Sequence, residues 1–126
     1  LSSERHKPWS ANQSGKANME WVTPENSLQW LAFRRLANRL QGSGSNLLVV
    51  VGPLNEHIMN DATLEKHQVF LTAVTAWLSV EGIRFVVPEV LPSDEFADAS
   101  HPLTEGYERL AKRLVADPVF KTWLAQ

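Results

Sequence analysis

The sequence predicts an α/β fold in which helices cover a parallel sheet. Two short apolar runs support this prediction: the aliphatic stretch LLVVV at 47–51 and IRFVV at 83–87. An unbroken aliphatic run is typical of a strand that is buried on both faces of a parallel sheet. Amphipathic segments precede, separate and follow the two runs, so the predicted order is helix, strand, helix, strand, helix, helix.

The first helix is predicted within TPENSLQWLAFRRLANRLQGSG, residues 23–44. Thr23 is placed to cap it, and Pro24 suits its first position. Aliphatic side chains recur at helical spacing and mark the side expected to face the core: Leu28, Leu31, Ala32, Leu36 and Leu40. The arginines of this segment are expected on the opposite, solvated side.

The second helix is predicted within DATLEKHQVFLTAVTAWLSVEG, residues 61–82. Asp61 is the expected N-cap, and Gly82 is placed at the C′ position. His67 is expected on the exposed side, beside Glu65 and Lys66. Residues expected on the apolar side are Leu64, Phe70, Leu71, Val74, Trp77 and Leu78.

The strand ending at Pro88 completes a strand–helix–strand unit, which should cross over in the right-handed sense. A third helix is predicted within PLTEGYERLAKRLVADP, residues 102–118, and a short terminal helix follows Asp117-Pro118. Two strands are few for such a fold, because the flanking helices need a wider sheet to cover. We therefore expect the sheet to continue in residues outside this chain or in a partner.

Residues 1–22 lack helical or strand periodicity and are expected to be irregular, whereas 23–126 form the α/β part. Trp9 and Trp21 are the main apolar groups of the irregular segment. They either hold the segment down on the domain or form a surface that binds a polymer. Trp30 and Trp77 lie near helical apolar faces and are expected in the core. Because the chain lacks an initiator Met, we expect a processed product or a fragment.

Composition excludes several classes of function. The formal net charge is -2 and no basic stripe is present, so nucleic acid is not an expected partner. The chain has no cysteine, which excludes disulfides and thiolate zinc sites. His57 and His67 lack the i, i+4 spacing of a helical zinc site, and no metal or cofactor is predicted. No apolar run reaches the roughly 18 residues of a membrane span.

Two polar loops are expected at the carboxyl ends of the strands, the edge where open α/β sheets carry their active sites. They are residues 52–61 and 88–102, and the second contains Asp98 and His101. Three residues of separation let the carboxylate turn back onto the imidazole Nδ1, which leaves Nε2 free to accept a proton. The competing interpretation is that Asp98 caps a turn and His101 is a surface residue.

The segment DASHPLTEGYERLAKRL resembles the final block of the SGNH (GDSL-like) hydrolase superfamily. In that family a D-x-x-H-P motif is followed by a helix with Gly-Tyr and Leu-Ala. The matching residues here are Asp98, His101, Pro102, Gly106, Tyr107, Leu110 and Ala111. The resemblance covers roughly residues 26–116. It is nearest to the branch that acylates and deacylates cell-envelope polymers, such as the D-alanyl transfer protein of teichoic acids and the alginate O-acetylation proteins.

The resemblance implies a flavodoxin-like three-layer α/β/α sandwich with a parallel sheet, of which only the C-terminal half is present. It implies a serine esterase or O-acyltransferase that acts on an acylated small molecule or polysaccharide, in the cell envelope. His101 would be the general base and Asp98 its orienting partner. No cofactor is implied.

The family's Gly-Asp-Ser block is absent from this sequence. Ser43 and Ser45 precede a predicted strand, whereas the family's nucleophile follows one. Ser93 and Ser100 lie near the histidine but lack that context. We therefore expect the nucleophile in a missing N-terminal half or in a partner chain.

Asn55, in GPLN, could correspond to the family's oxyanion-hole Asn, although GPLN is one residue longer than the family's Gly-x-Asn. The other interpretation of Asn55 is a loop cap. For the whole chain, the alternative function is a non-catalytic SGNH-like module that binds a glycan or a protein.

Overall fold

The regular elements follow one another in the predicted order. The computed structural model describes residues 6–12 and 15–126. The elements are α1 (Leu28–Gly42), β1 (Leu48–Val50), α2 (Asp61–Val80), β2 (Arg84–Val86), α3 (Thr104–Ala116) and α4 (Pro118–Leu124). The prediction of a mixed α/β chain with this order of helices and strands is confirmed.

β1 and β2 pair in parallel, with Leu48 opposite Arg84 and Val50 opposite Val86. Each strand has three residues, and together they form a two-stranded sheet within the described part of the chain. α2 connects the two strands, as a parallel pair requires. A complete flavodoxin-like sandwich would need more strands than these residues supply.

α1 and α2 pack against the same face of the sheet. The buried core consists of Ala37, Val74, Leu78 and Ile83, and partly buried side chains of both helices and both strands surround it. Side chains alternate along a strand, so Val86 points to the opposite face. There it lines a cleft together with Leu114 of α3.

The buried face of α1 differs from the predicted one. Its aromatic face, Trp30 and Phe33 with Ala37, packs into the core. Three of the leucines expected inside are exposed: Leu28 (78 %), Leu31 (43 %) and Leu36 (57 %). Both sets of residues have helical spacing, but aromatic rings bury more area per residue. The prediction of a leucine-lined inner face was therefore wrong at these three positions.

Trp30 and Trp77, which were predicted to pack in the core, are partly buried and pack against it. The Trp30 and Trp77 rings meet edge to face, with centroids 5.2 Å apart and an interplanar angle of 80°. This is one of the favourable arrangements of an aromatic pair. It joins α1 to α2 above the sheet.

The helix α1 begins later than predicted, whereas α2 begins one residue earlier than predicted. The Thr23 side chain makes no capping hydrogen bond. The residues that follow it, Pro24–Asn26, form a 3-10 turn that precedes α1. Ser27 is the N-cap of α1, because its Oγ accepts a hydrogen bond from the Trp30 amide. The predicted start of this helix was therefore wrong: the cap lies four residues later, at Ser27, and Pro24 belongs to the preceding turn.

At α2 the cap is Asn60, whose Oδ1 accepts a hydrogen bond from the Thr63 amide at 2.9 Å. Asp61 is the first helical residue rather than the N-cap. The predicted end is confirmed, because Gly82 follows the helix with a φ of 68°, a backbone conformation that favours glycine.

The described part of residues 1–22 is anchored to the α/β part. Ala17 forms a β-bridge with Met59, and the Trp21 ring stacks on His67 with centroids 5.2 Å apart. Trp21 therefore acts as a clamp, one of the two roles predicted for it. The expectation that His67 is exposed was wrong: it is 7 % exposed, beneath Trp21.

Candidate functional site

The loops that follow β1 and β2 meet at the carboxyl edge of the sheet. The Asn55 amide donates a hydrogen bond to the Ala99 carbonyl at 2.9 Å. His57 Nε2 lies 2.9 Å from the Leu91 carbonyl oxygen. These contacts connect the first loop to the second at two points, and they place Asp98 and His101 at the edge where α/β proteins bind ligands.

Asp98 and His101 are in direct contact at the tip of the second loop. His101 Nδ1 lies 2.8 Å from Oδ2 and 2.9 Å from Oδ1 of Asp98. Asp98 Oδ1 also accepts hydrogen bonds from the amides of Ser100 and His101, both at 2.9 Å. The carboxylate thus turns the chain back on itself and engages the imidazole in the same turn.

Hydrogen bonds to the carboxylate hold the pKa of Asp98 below its ordinary value. The Ser100 amide contributes most, the partial burial of the carboxylate acts in the opposite direction, and the His101 ring and amide add to the lowering. Asp98 is therefore ionised near neutral pH. An ionised carboxylate at Nδ1 favours the imidazole form that carries its proton on Nδ1, with a lone pair on Nε2.

The imidazole is accessible, since the His101 side chain is 70 % exposed. It lines an open cavity of about 1110 Å³ together with Lys7, Tyr107 and Glu105. The cavity lies between the N-terminal segment and the start of α3. A substrate group could approach the ring from this side.

The four serines considered in the sequence make no hydrogen bond to Nε2 of His101. Ser100 Oγ is 3.4 Å from Nδ1, the nitrogen that Asp98 already occupies. Ser93 begins a short 3-10 helix, Ser93–Glu95. Ser43 and Ser45 lie between α1 and β1, at the amino end of the strand, and Ser43 Oγ donates to the Leu40 carbonyl. The carboxyl edge is the other end of the same strand.

Asn55 is fully buried and lies beneath the loop that carries Asp98 and His101. Its Nδ2 donates a hydrogen bond to the Asp98 carbonyl at 3.2 Å, in addition to the backbone bond to Ala99. An oxyanion-hole donor must point at the substrate, whereas this amide points at the loop. The arrangement corresponds to the loop-capping interpretation of Asn55, and it uses one of the two Nδ2 hydrogens.

Sequence reasoning missed the ion pair at the base of this loop. Glu95 is 8 % exposed, and Arg109 Nη2 of α3 lies 2.6 Å from its Oε1. The sequence indicates Gly106 only as one residue of the family pattern. Its structural role is close approach: a Cβ there would lie 2.7 Å from the Glu95 carbonyl oxygen.

Among residues 6–12 and 15–126, no helix has the length and apolar character needed to cross a membrane. The same residues contain no cluster of three or more histidine, aspartate or glutamate side chains suited to a metal ion. In comparisons with family models, with curated proteins and with solved structures, the chain has no match.

Proposed function

We propose that this chain is part of a serine esterase or O-acyltransferase in which Asp98 orients His101 as the general base. The nucleophilic serine would lie outside these 126 residues. One observation carries the proposal: an ionised carboxylate contacts Nδ1 of a histidine whose ring is open to a cavity. The place of this pair, after the last strand and at the carboxyl edge, adds support.

In the proposed reaction, Nε2 of His101 accepts the serine Oγ proton while Oγ attacks the acyl carbon of the substrate. The imidazolium then returns that proton to the leaving alkoxide, which gives an acyl-enzyme and a free alcohol. Water or an acceptor alcohol next loses a proton to Nε2 and attacks the acyl-enzyme. The imidazolium returns that proton to the leaving serine Oγ, which releases the carboxylic acid or the new ester and restores the serine. Asp98 stabilises the imidazolium in both halves of the reaction.

The proposed class of substrate rests on the resemblance of the D-x-x-H-P segment to the SGNH family. We propose an O-acyl or O-acetyl ester, carried by a carbohydrate. Asn55 already gives one Nδ2 hydrogen to the loop, and the remaining donors of the oxyanion hole would lie, like the serine, outside these residues.

The test is ester hydrolysis by the product of the complete reading frame that contains this chain, with p-nitrophenyl acetate as substrate. His101→Ala should lower kcat/KM by about 10³-fold or more, as expected for loss of a general base. His57→Ala is the matched control, because this histidine belongs to the neighbouring loop and its Nε2 is occupied by the Leu91 carbonyl. Full activity in the His101 variant would exclude the proposed base.

A non-catalytic glycan- or protein-binding module is the second candidate. One observation favours it: the two backbone hydrogen bonds to Asp98 Oδ1 form a complete turn without any catalytic requirement. A reading frame whose product has no esterase activity, and in which no Gly-Asp-Ser follows an upstream strand, would favour the module.

A further inference from the structure

We propose that Glu95 and Arg109 are positioning residues for His101, and that their ion pair fixes the orientation of the catalytic loop relative to α3. This inference rests on the proposed function only for the role of His101. The structural effect of the pair on the loop can be measured without any enzymatic activity.

The contact between the two side chains is bidentate. Arg109 Nε lies 2.9 Å from both carboxylate oxygens of Glu95, and Nη2 lies 2.6 Å from Oε1. The Glu95 side chain is 11 % exposed and that of Arg109 is 47 % exposed. A forked guanidinium–carboxylate contact fixes geometry as well as contributing energy, and lysine cannot reproduce it.

The ionised form of Glu95 is maintained by its partner. Hydrogen bonding to Arg109 lowers the pKa of Glu95, burial opposes this, and the charges of Arg109 and Arg113 reinforce it. The carboxylate is therefore charged near neutral pH, and the pair persists there as an ion pair.

Glu95 is also the point at which the loop closes. The Leu103 amide donates to the Glu95 carbonyl at 2.7 Å, and the Ala97 amide donates to the His101 carbonyl at 2.8 Å. Phe96, which is fully buried, forms a bridge with Pro102 between these two bonds. Two hydrogen bonds, one on each side of the Phe96–Pro102 bridge, thus join residues 95–97 to residues 101–103, and His101 accepts one of them.

The Glu95 side chain therefore extends from the first half of the loop, residues 95–97. It binds α3, the helix that follows the second half, residues 101–103. Gly106 permits this closeness, because any side chain there would meet the Glu95 carbonyl. The tip itself is exposed, so its direction depends on how its base is held. Loss of the ion pair should let the loop rotate relative to α3 and weaken the contact between Asp98 and His101.

The experiment uses the 126-residue chain, labelled with ¹⁵N, and the variant Glu95→Gln, which removes the charge and keeps the shape. Hydrogen exchange of the Ala97 amide should accelerate by about tenfold or more, the effect expected for loss of a charge-assisted hydrogen bond near the amide. The Val51 amide, which donates to Val86 in the sheet, serves as the internal reference and should not change. Nitrogen shifts of neutral His101 should show a smaller population with the proton on Nδ1.

Glu89→Gln is the matched control. Glu89 also pairs with an arginine of α3, since its Oε2 lies 3.6 Å from Arg113 Nη2, but the Glu89 side chain is 86 % exposed. This variant should leave both the Ala97 exchange and the His101 tautomer unchanged. If Glu95→Gln does not fold, Arg109→Lys keeps the opposing charge and provides the same comparison.

Unchanged Ala97 exchange and an unchanged tautomer would overturn the proposal, and so would equal acceleration at Ala97 and Val51, which indicates only a global loss of stability. These outcomes are separate from the esterase assay. If the loop loosens in Glu95→Gln but His101→Ala remains fully active, the inference that the ion pair orients the loop is supported. The catalytic role of His101 is then rejected.

Discussion

Asp98 organises the tip of the loop through its charge, although its side chain is 56 % exposed. Its pKa is lowered by the Ser100 amide above all, and by the contacts with His101. A lowered pKa means that the folded loop binds the ionised form preferentially. The stabilisation is thus complete above the ordinary aspartate pKa and disappears as pH falls through the lowered value.

This predicts an acid transition confined to the loop. In an NMR titration of the chain, the amide shifts of Ser100 and His101 should change together, with a midpoint below the ordinary pKa of aspartate. Asp98→Asn should remove this transition, because the amide does not ionise. A midpoint at the ordinary value would mean that the hydrogen bonds to Asp98 are not formed in solution.

For individual side chains, the sequence indicates contacts between residues close in the chain better than contacts between distant ones. The contact between Asp98 and His101 spans three residues, so the spacing alone suggests it. The partners Glu95 and Arg109 are fourteen residues apart, and both lie among charged neighbours that are typical of solvated surface. Only the folded path of the loop onto α3 brings them together.

Among the elements, the identity and order of the helices are predictable, but the side that each buries is less so. His67 lies on the buried face of α2 with Thr63, Val74 and Leu78. These four positions have helical spacing, so the signal is present in the sequence. It is concealed because Thr63 and His67 are polar, and because the N-terminal segment rather than the sheet covers these two side chains.

The start of α3 depends on the absence of a side chain at Gly106, which predicts a loss of stability in Gly106→Ala. The new Cβ would lie 2.7 Å from a backbone oxygen and 3.0 Å from Pro102 Cβ. Overpacking of this kind costs about 1–3 kcal/mol, which exceeds the gain of about 0.5–1 kcal/mol from replacing glycine in a helix.

Gly42→Ala is the control for that substitution, because Gly42 ends α1 and no atom lies within 4 Å of its added Cβ. Urea denaturation should show a lower unfolding free energy for Gly106→Ala and no loss for Gly42→Ala. Equal stability of the two variants would contradict the close approach of α3 to the loop.

For the whole molecule, the position of α1 indicates where further strands would belong. Right-handed crossovers place successive helices on one face of a parallel sheet when strands are added in one direction. Since α1 and α2 cover the same face, a strand leading into α1 would lie beside β1, on the side away from β2. This is the geometry required by the proposal that an upstream segment completes the domain.

The outer edge of β1 has no strand partner within the described residues, and Val50 at its end is 36 % exposed. Unprotected edges of this kind pair with other strands. The isolated chain is therefore expected to self-associate in sedimentation velocity experiments, increasingly so with concentration. A single monomeric species at all concentrations would count against a half-domain.

The central claim, that His101 serves a serine outside this chain, is tested most directly by labelling with a fluorophosphonate probe. The product of the complete reading frame would be treated with the probe, digested and analysed by mass spectrometry. We expect one labelled serine, located outside residues 1–126, and loss of the label in His101→Ala but not in His57→Ala. Labelling that persists in His101→Ala, or its absence from the unaltered protein, would contradict the proposed catalytic role.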